Sequence, residues 1–166
     1  MSINNYHIRK AELTDADCIM QMIDNSRAVM RSNNNFNQWT DGYPQNDIIL
    51  KDIHSSNGYI VTKNNIPKAY FAFIHSPEPT YQKIYGGQWL NDNPYYVIHR
   101  LAKAPDVKGI LKAVLDYCFI KTYNIRIDTH RDNKIIQNFV IKYGFSYCGI
   151  IYLANGDERF AYQKFR

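Results

Sequence analysis

The chain has 166 residues, 45% of them hydrophobic and 21% charged, enough apolar material for one domain with a sizeable core. Twenty Lys and Arg against fifteen Asp and Glu leave a net charge of +5 with no arginine-rich arm. The scatter argues against a nucleic-acid footprint, which clusters on one face, and suits a small anionic ligand.

In chain order, Met1-Ser2-Ile3-Asn4-Asn5 lacks the basic start and apolar run of a secretory signal, and no later stretch approaches the roughly 18 apolar residues of a membrane span. A cytoplasmic protein is expected. Tyr6–Glu12 alternates as a first strand. Thr14 with Asp17 reads as a capping-box-like start, and Ile19, Met22, Ile23 and Met30 carry a helix to about Arg31. Ser32–Asn35 breaks it. The loop Phe36–Tyr43 is rich in aromatics, which either pin it to the core or line a pocket. Pro44 fits the first position of a second helix, with Ile49 and Ile53 inward. Tyr59–Lys63 and Lys68–His75 are strands joined by Asn64–Pro67.

From Ser76 to Asn93 there is no periodicity, only Pro, Gly and aromatics, and a loop of that length is more often functional than not. An apolar strand, Tyr95–Lys103, then turns at Ala104-Pro105-Asp106 into a helix near Val107. That helix carries Ile110, Leu111, Val114, Leu115, Cys118 and Phe119 on one stripe. Strand Asn124–Thr129 leads to a helix capped by Asp132 or Asn133, with Ile135, Ile136, Phe139, Val140 and Tyr143 inward and Gly144 at its end. Phe145–Leu153 and Glu158–Lys164 close the chain as a hairpin around Asn155-Gly156. The order is β-α-α-β-β-β-α-β-α-β-β, an α/β domain over 1–166 with a mixed, mostly antiparallel sheet flanked by helices. Cys18, Cys118 and Cys148 are odd in number and set among apolar neighbours, so free, mostly buried thiols are expected rather than disulfides or a metal site.

The segment from Leu101 to Lys112 is the candidate binding device. A strand, a short turn and a helix N-terminus present unpaired amides and the positive end of a helix dipole to an anion. Lys103, Lys108 and Lys112 either add to that field or form a solvated face.

The element order, together with Ile98-His99-Arg100-Leu101-Ala102, Lys108-Gly109-Ile110, Arg126–His130, Asn133 and Lys142-Tyr143-Gly144-Phe145, resembles the GNAT superfamily of N-acetyltransferases over roughly Ile8 to Lys164. Gln38-Trp39 with Gly42-Tyr43-Pro44, and Cys148–Tyr152 with Gly156–Arg159, are similar to a small bacterial branch of it. The resemblance implies acetyl-CoA as co-substrate and an amine as acceptor. Pantetheine would lie along Leu101, Ala102 and Lys103, and pyrophosphate on Val107, Lys108, Gly109, Ile110, Leu111 and Lys112. Asn133 would meet the pantetheine end. Aligned on Gly109, Asp106 stands at the family's basic position and Leu111 at its second small one, while Val140 replaces its acidic Tyr.

His99 and His130 are the candidate bases; the alternative, structural reading makes His99 a hydrogen-bonded sheet residue and His130 a helix-entry residue. Trp39, Tyr43, Tyr85 and Trp89 are candidate walls of an acceptor pocket for a small amine. Two functions follow. One is direct acetyl transfer in a ternary complex. The other, motivated by Asp106, Leu111 and Val140, is a module that binds an acyl-CoA, another anion or a protein without transfer. The closing hairpin leaves an edge strand on which a homodimer would pair.

Overall fold

Alternating residues of single strands belong to different cores, and this sets the layers. Tyr59 and Val61 join one apolar cluster while Ile60 joins another, and Phe71 and Phe73 face away from Tyr70 in the same manner. The structure, a computed structural model, describes residues 2, 3 and 5–166, with the backbone alone for Ser2 and Ile3; the reading of Met1 and Asn4 lies outside the described residues. The strands are β1 (Ser2–Ile3), β2 (Tyr6–Lys10), β3 (Gly58–Lys63), β4 (Ile66–His75), β5 (Tyr96–Lys103), β6 (Asn124–Thr129), β7 (Ser146–Tyr152) and β8 (Glu158–Phe165). They form one sheet in the order β1-β2-β3-β4-β5-β6-β8-β7, antiparallel except between β5 and β6.

Helices α1 (Ala16–Ser32) and α2 (Asn46–His54) cover one face around Ile19, Ile23 and Ile49. Helices α3 (Ile110–Lys121) and α4 (Lys134–Tyr143) cover the other around Val114, Cys118 and Val140. The mixed α/β architecture and mostly antiparallel sheet are as expected, with the two-residue β1 added. Among the described residues no helix is long and apolar enough to cross a membrane. Cys118 and Cys148 are buried and Cys18 is half-buried, all unpaired.

Several boundaries differ from the sequence reading for local reasons. A 3-10 turn, Leu13–Asp15, precedes α1, and the α1 cap is Asp15 rather than Thr14. The Asp15 carboxylate accepts the Glu12 amide at 2.8 Å and both ends of the Arg9 guanidinium at 2.7 and 2.8 Å. Pro44 follows a cis peptide bond and lies outside α2, whose cap is Gln45. Asn64 and Asn65 both adopt positive φ, 52° and 61°, so a two-residue turn joins β3 to β4 and Pro67 falls inside the strand at a register shift. Helix α3 starts at Ile110, not Val107, because Gly109 takes a left-handed φ of 75° as its cap.

Two distortions open the sheet at its middle. β5 and β6 pair only at Tyr96–Ile125 and Val97–Arg126 and then part. Against β4, the pairing passes from Ala72–His99 to Tyr70–Ala102, so Arg100 and Leu101 oppose Phe71 alone, a bulge in which Arg100 has a φ of 54°. A non-glycine residue holds that conformation only when its surroundings fix it. Here Arg100 donates from Nε and Nη2 to the buried Asp52 carboxylate at 2.8 and 2.7 Å, and Tyr70 donates its hydroxyl to the same carboxylate at 2.7 Å. Burial opposes the Arg100 charge, but Asp52 overrides it and raises the guanidinium pKa. Replacing Asp52 with Asn strands a buried cation, so Asp52→Asn should cost about 3–5 kcal/mol in urea denaturation. A cost within about 0.5 kcal/mol of zero, the usual range for a surface change, would contradict this role.

Candidate functional site

The parting of β5 from β6 leaves a wedge, and a cavity runs through it. On the α1–α2 side it is lined by Trp39, Tyr43, His99, Arg100, Asp128 and Arg159; on the α3–α4 side by Leu111, Val114, Ile136, Phe139 and Val140. A second cavity adjoins it between α1, β5 and the starts of α3 and α4, bordered by Ser26, Met30, Ala102, Lys103, Ile110 and Ile135. Met30, Leu101, Leu111, Asn133 and Ile136 line both. The pair forms a channel from the α3 N-terminus to the centre of the sheet.

At the outer end of that channel the main chain is held from behind and left open in front. Ala104 donates its amide to the Lys68 carbonyl at 2.9 Å, Lys103 Nζ donates to the Val107 carbonyl at 3.1 Å, and the Tyr6 hydroxyl donates to the Lys108 carbonyl at 2.7 Å. The amides of Asp106 through Lys112 donate to no acceptor among the described residues. Such a run at a helix start is an anion site, because the amides and the dipole point the same way. Space around Gly109 is open, and no atom lies within 4 Å of the point where a side-chain carbon on it would stand. Lys108 is exposed and its ammonium has no partner among the described residues, whereas Lys112 is paired with Asp116 at 2.6 Å. Asp106 is exposed in the turn at a φ of 57°, and Leu111 turns into the junction of the two cavities.

Other expected residues are placed as follows. The Lys103 amide donates to Ser26 Oγ at 3.0 Å and its carbonyl accepts from Asn25 Nδ2 at 2.9 Å, so α1 already engages that stretch of strand. Asn133 caps α4 by accepting the Ile136 amide at 3.2 Å and donates to Gln38 Oε1 at 2.9 Å. Trp39 is both pinned in a core and part of the cavity wall, which joins the two alternatives for its loop. Tyr43 accepts a hydrogen bond from Arg100 at 3.3 Å on the same wall.

Tyr85 and Trp89 line neither cavity. The main chain of Tyr85 bridges Ile150 at 2.8 Å in both directions, which fastens the long loop to the edge strand β7. That approach is close enough that a side chain on Gly87 would come 2.1 Å from the Cys148 carbonyl. Trp89 packs on Tyr81 at 5.1 Å and beneath the Arg126 guanidinium at 4.1 Å.

The two histidines part company. His130 lines neither cavity, and its Nδ1 accepts the Asp132 amide at 3.1 Å. Burial, reinforced by the charge of Arg159, lowers its pKa. His99 lines the wedge cavity between two carboxylates, with Nε2 3.1 Å from Glu78 and Nδ1 3.8 Å from Asp128. A neutral imidazole that donates from Nε2 to Glu78 keeps the Nδ1 lone pair as a proton acceptor. Asp128 in turn accepts the Tyr81 hydroxyl at 2.6 Å.

Glu78, Asp128 and Arg159 are not among the residues expected from the sequence. A lone Asp within the apolar alternation of β6 is a detectable signal of a partnered buried carboxylate. Glu78 carries no such signal, since it sits in an aperiodic loop. Among the described residues no cluster of His, Cys, Asp and Glu is placed to hold a metal ion.

No protein-family model and no curated protein matches the chain. Solved structures do. An acetyltransferase of the GNAT family from Streptococcus agalactiae 2603 is 31% identical over 100% of this chain and 98% of its own, with a TM-score of 0.92. A GNAT-family acetyltransferase from Listeria monocytogenes 4b F2365 is 18% identical with a TM-score of 0.69, covering 97% and 95% of the two chains. An N-acetyltransferase from Staphylococcus aureus Mu50 is 16% identical with a TM-score of 0.64, covering 98% and 99%. The latter two share the fold. The chain belongs to the GNAT family of acetyltransferases.

The Glu78–His99 contact makes stability depend on acid. Burial pushes the Glu78 carboxyl up, but the hydrogen bond from His99, the positive charge His99 carries in acid and the hydrogen bonds from Thr80 outweigh it and hold its pKa at about 2, below the ordinary 4.5. A depressed carboxyl stabilises the fold fully above pH 4.5 and loses that contribution as pH falls through about 2. The melting-temperature deficit of Glu78→Gln should therefore be largest near pH 4.5 and shrink as the pH falls towards 2. A deficit independent of pH would contradict the pairing.

Proposed function

We propose that the chain, as one catalytic domain over residues 1–166, transfers the acetyl group of acetyl-CoA to a small amine by direct attack in a ternary complex. The observation that carries this reading is the run of free amides from Asp106 to Lys112 at the mouth of a wedge between parted strands. The amides of Val107, Lys108, Gly109, Ile110, Leu111 and Lys112 take the pyrophosphate, with the unpaired Lys108 ammonium beside it. Pantetheine follows the second cavity past Leu101 and Ala102 to Asn133. Lys103 contributes through its ammonium contact to the turn rather than its main chain, which Ser26 and Asn25 hold.

The thioester then reaches the wedge cavity, where the acceptor meets it from the Trp39 and Tyr43 side. His99 Nδ1 removes one proton from the ammonium, the amine nitrogen forms a bond to the thioester carbonyl carbon, the carbon–sulfur bond breaks with its electron pair leaving on sulfur, and the second proton on nitrogen passes to that sulfur, which departs as free thiol. Glu78 orients His99 and stabilises the imidazolium that forms. Val140 is hydrocarbon at the place of the family's acidic Tyr, and the Tyr143 hydroxyl is spent on Asp116 at 2.8 Å. Positioning and amine deprotonation supply the catalysis in its absence. His130 lies off this path and serves the start of α4.

A second reading, a binding module without transfer, is favoured by the Asp106 carboxylate in the phosphate turn and by Val140. Calorimetry with acetyl-CoA, paired with thiol release across an amine panel, separates the two. Wild type should bind acetyl-CoA, and Gly109→Glu should weaken binding by at least about tenfold, more than Gly109→Ala, which strains the left-handed cap in the same way without adding a negative charge. No heat and no thermal shift at millimolar acetyl-CoA would overturn the transferase reading, and binding without thiol release would favour the module.

A further inference from the structure

Three arginines lie in or beside the central strands: one is matched by a carboxylate, one is covered by aromatic rings outside both cavities with its buried Nε unpartnered, and one borders the wedge cavity with open N–H groups. Arg100 is bidentate on Asp52. Arg126 lies 3.9 Å from the Tyr95 ring and 4.1 Å from the Trp89 ring and donates to the Asn91 carbonyl at 2.7 Å. Arg159 differs. It is 6% exposed and lines the wedge cavity, yet its one hydrogen bond runs from Nη1 to the Glu158 carbonyl at 2.9 Å. The carboxylate nearest to it, the half-exposed Asp157, stands 3.6 Å from Nη2, within ion-pair range but beyond hydrogen-bond distance. Nε and Nη2 donate to nothing among the described residues.

A desolvated guanidinium with open N–H groups facing a cavity matches the planar fork of a carboxylate. The same cavity wall carries the opposite charge. Asp128 pairs with Ala161 across β6 and β8, and Arg159 lies two residues along β8 on the same face, about 7 Å away at the usual strand rise. Asp128 Oδ1 accepts from Tyr81, and Oδ2 has no hydrogen-bond partner among the described residues. His99 adjoins it with Nδ1 3.8 Å from Oδ1. An anion site and a cation site thus share one small cavity beside the candidate base.

Resting on the transferase reading, we propose that the acceptor is an amino acid, with its amine nitrogen between Asp128 and His99 and its carboxylate on Arg159. Trp39 and Tyr43 close the opposite wall against the remainder of the molecule. An amine without a carboxylate leaves Arg159 unmatched and loses that interaction in both the bound and the reacting state.

The test compares amino acids with their descarboxy amines (phenylalanine with phenethylamine, leucine with isoamylamine, tryptophan with tryptamine) by acetyl-CoA-dependent thiol release and by calorimetry on the full chain. The amino acids should show a KM at least about tenfold lower than their descarboxy partners, and Arg159→Gln should collapse that gap, with Arg159→Lys restoring part of it. Equal KM values within each wild-type pair would overturn the proposal while leaving transfer intact, and a gap that survives in Arg159→Gln would overturn it as well. If no amine releases thiol, the transferase reading fails on its own terms, and calorimetry still decides the site. Amino-acid heat that is lost in Arg159→Gln keeps the site, and no heat for any amino acid overturns it.

Discussion

The wedge depends on a guanidinium locked to a buried carboxylate. Arg100 bends β5 into a bulge with a backbone conformation that an arginine adopts only under constraint, and Asp52 on α2 supplies the constraint. An uncompensated charge at that depth costs several kcal/mol, which ties the bulge to the presence of α2. The parallel pairing with β6 stops after Val97–Arg126, just ahead of the bulge, and the channel opens where the bulged end of β5 runs apart from β6. The same contact thus couples a helix packed on one face of the sheet to the gap between its two central strands.

Polarity along the channel follows from what surrounds each end. At the outer end the turn before α3 is fastened from behind by Tyr6, Lys68 and Lys103, which leaves its amides facing outward as a rigid anion site. Midway the walls are hydrocarbon from Leu101, Leu111 and Ile136, a surface suited to an apolar arm. At the inner end Glu78, His99, Asp128 and Arg159 gather ionisable groups from four separate segments, brought together by the sheet and by the loop that precedes β5. The net charge of +5 is consistent with an anionic ligand.

Much of this is legible in the sequence, and the failures have physical causes. Apolar periodicity marks the helices, and the Asn155-Gly156 dipeptide marks the last hairpin. Leu101 to Lys112 stands out because strand, turn and helix follow one another locally. The contacts that shape the wedge are not local. Asp52 and Arg100 are 48 residues apart, and Glu78 and His99 are 21 apart with no periodic pattern in between. The aromatics of the long loop read as pocket walls, but Trp89 stacks on Tyr81 and Arg126 to anchor that loop, a use that composition alone does not separate from ligand binding. Pro44 suits a helix start by propensity, yet tertiary placement of the preceding loop puts it outside the helix.

The central claim is that the channel from the α3 N-terminus into the wedge receives an acyl-CoA. Amide chemical shifts followed by two-dimensional NMR during titration with acetyl-CoA address it residue by residue. The largest shifts should fall on the amides from Asp106 to Lys112, with a second group at Leu101 and Asn133 and little change at β1 or β2. Saturable shifts confined to other surfaces, or none at millimolar ligand, would contradict the account.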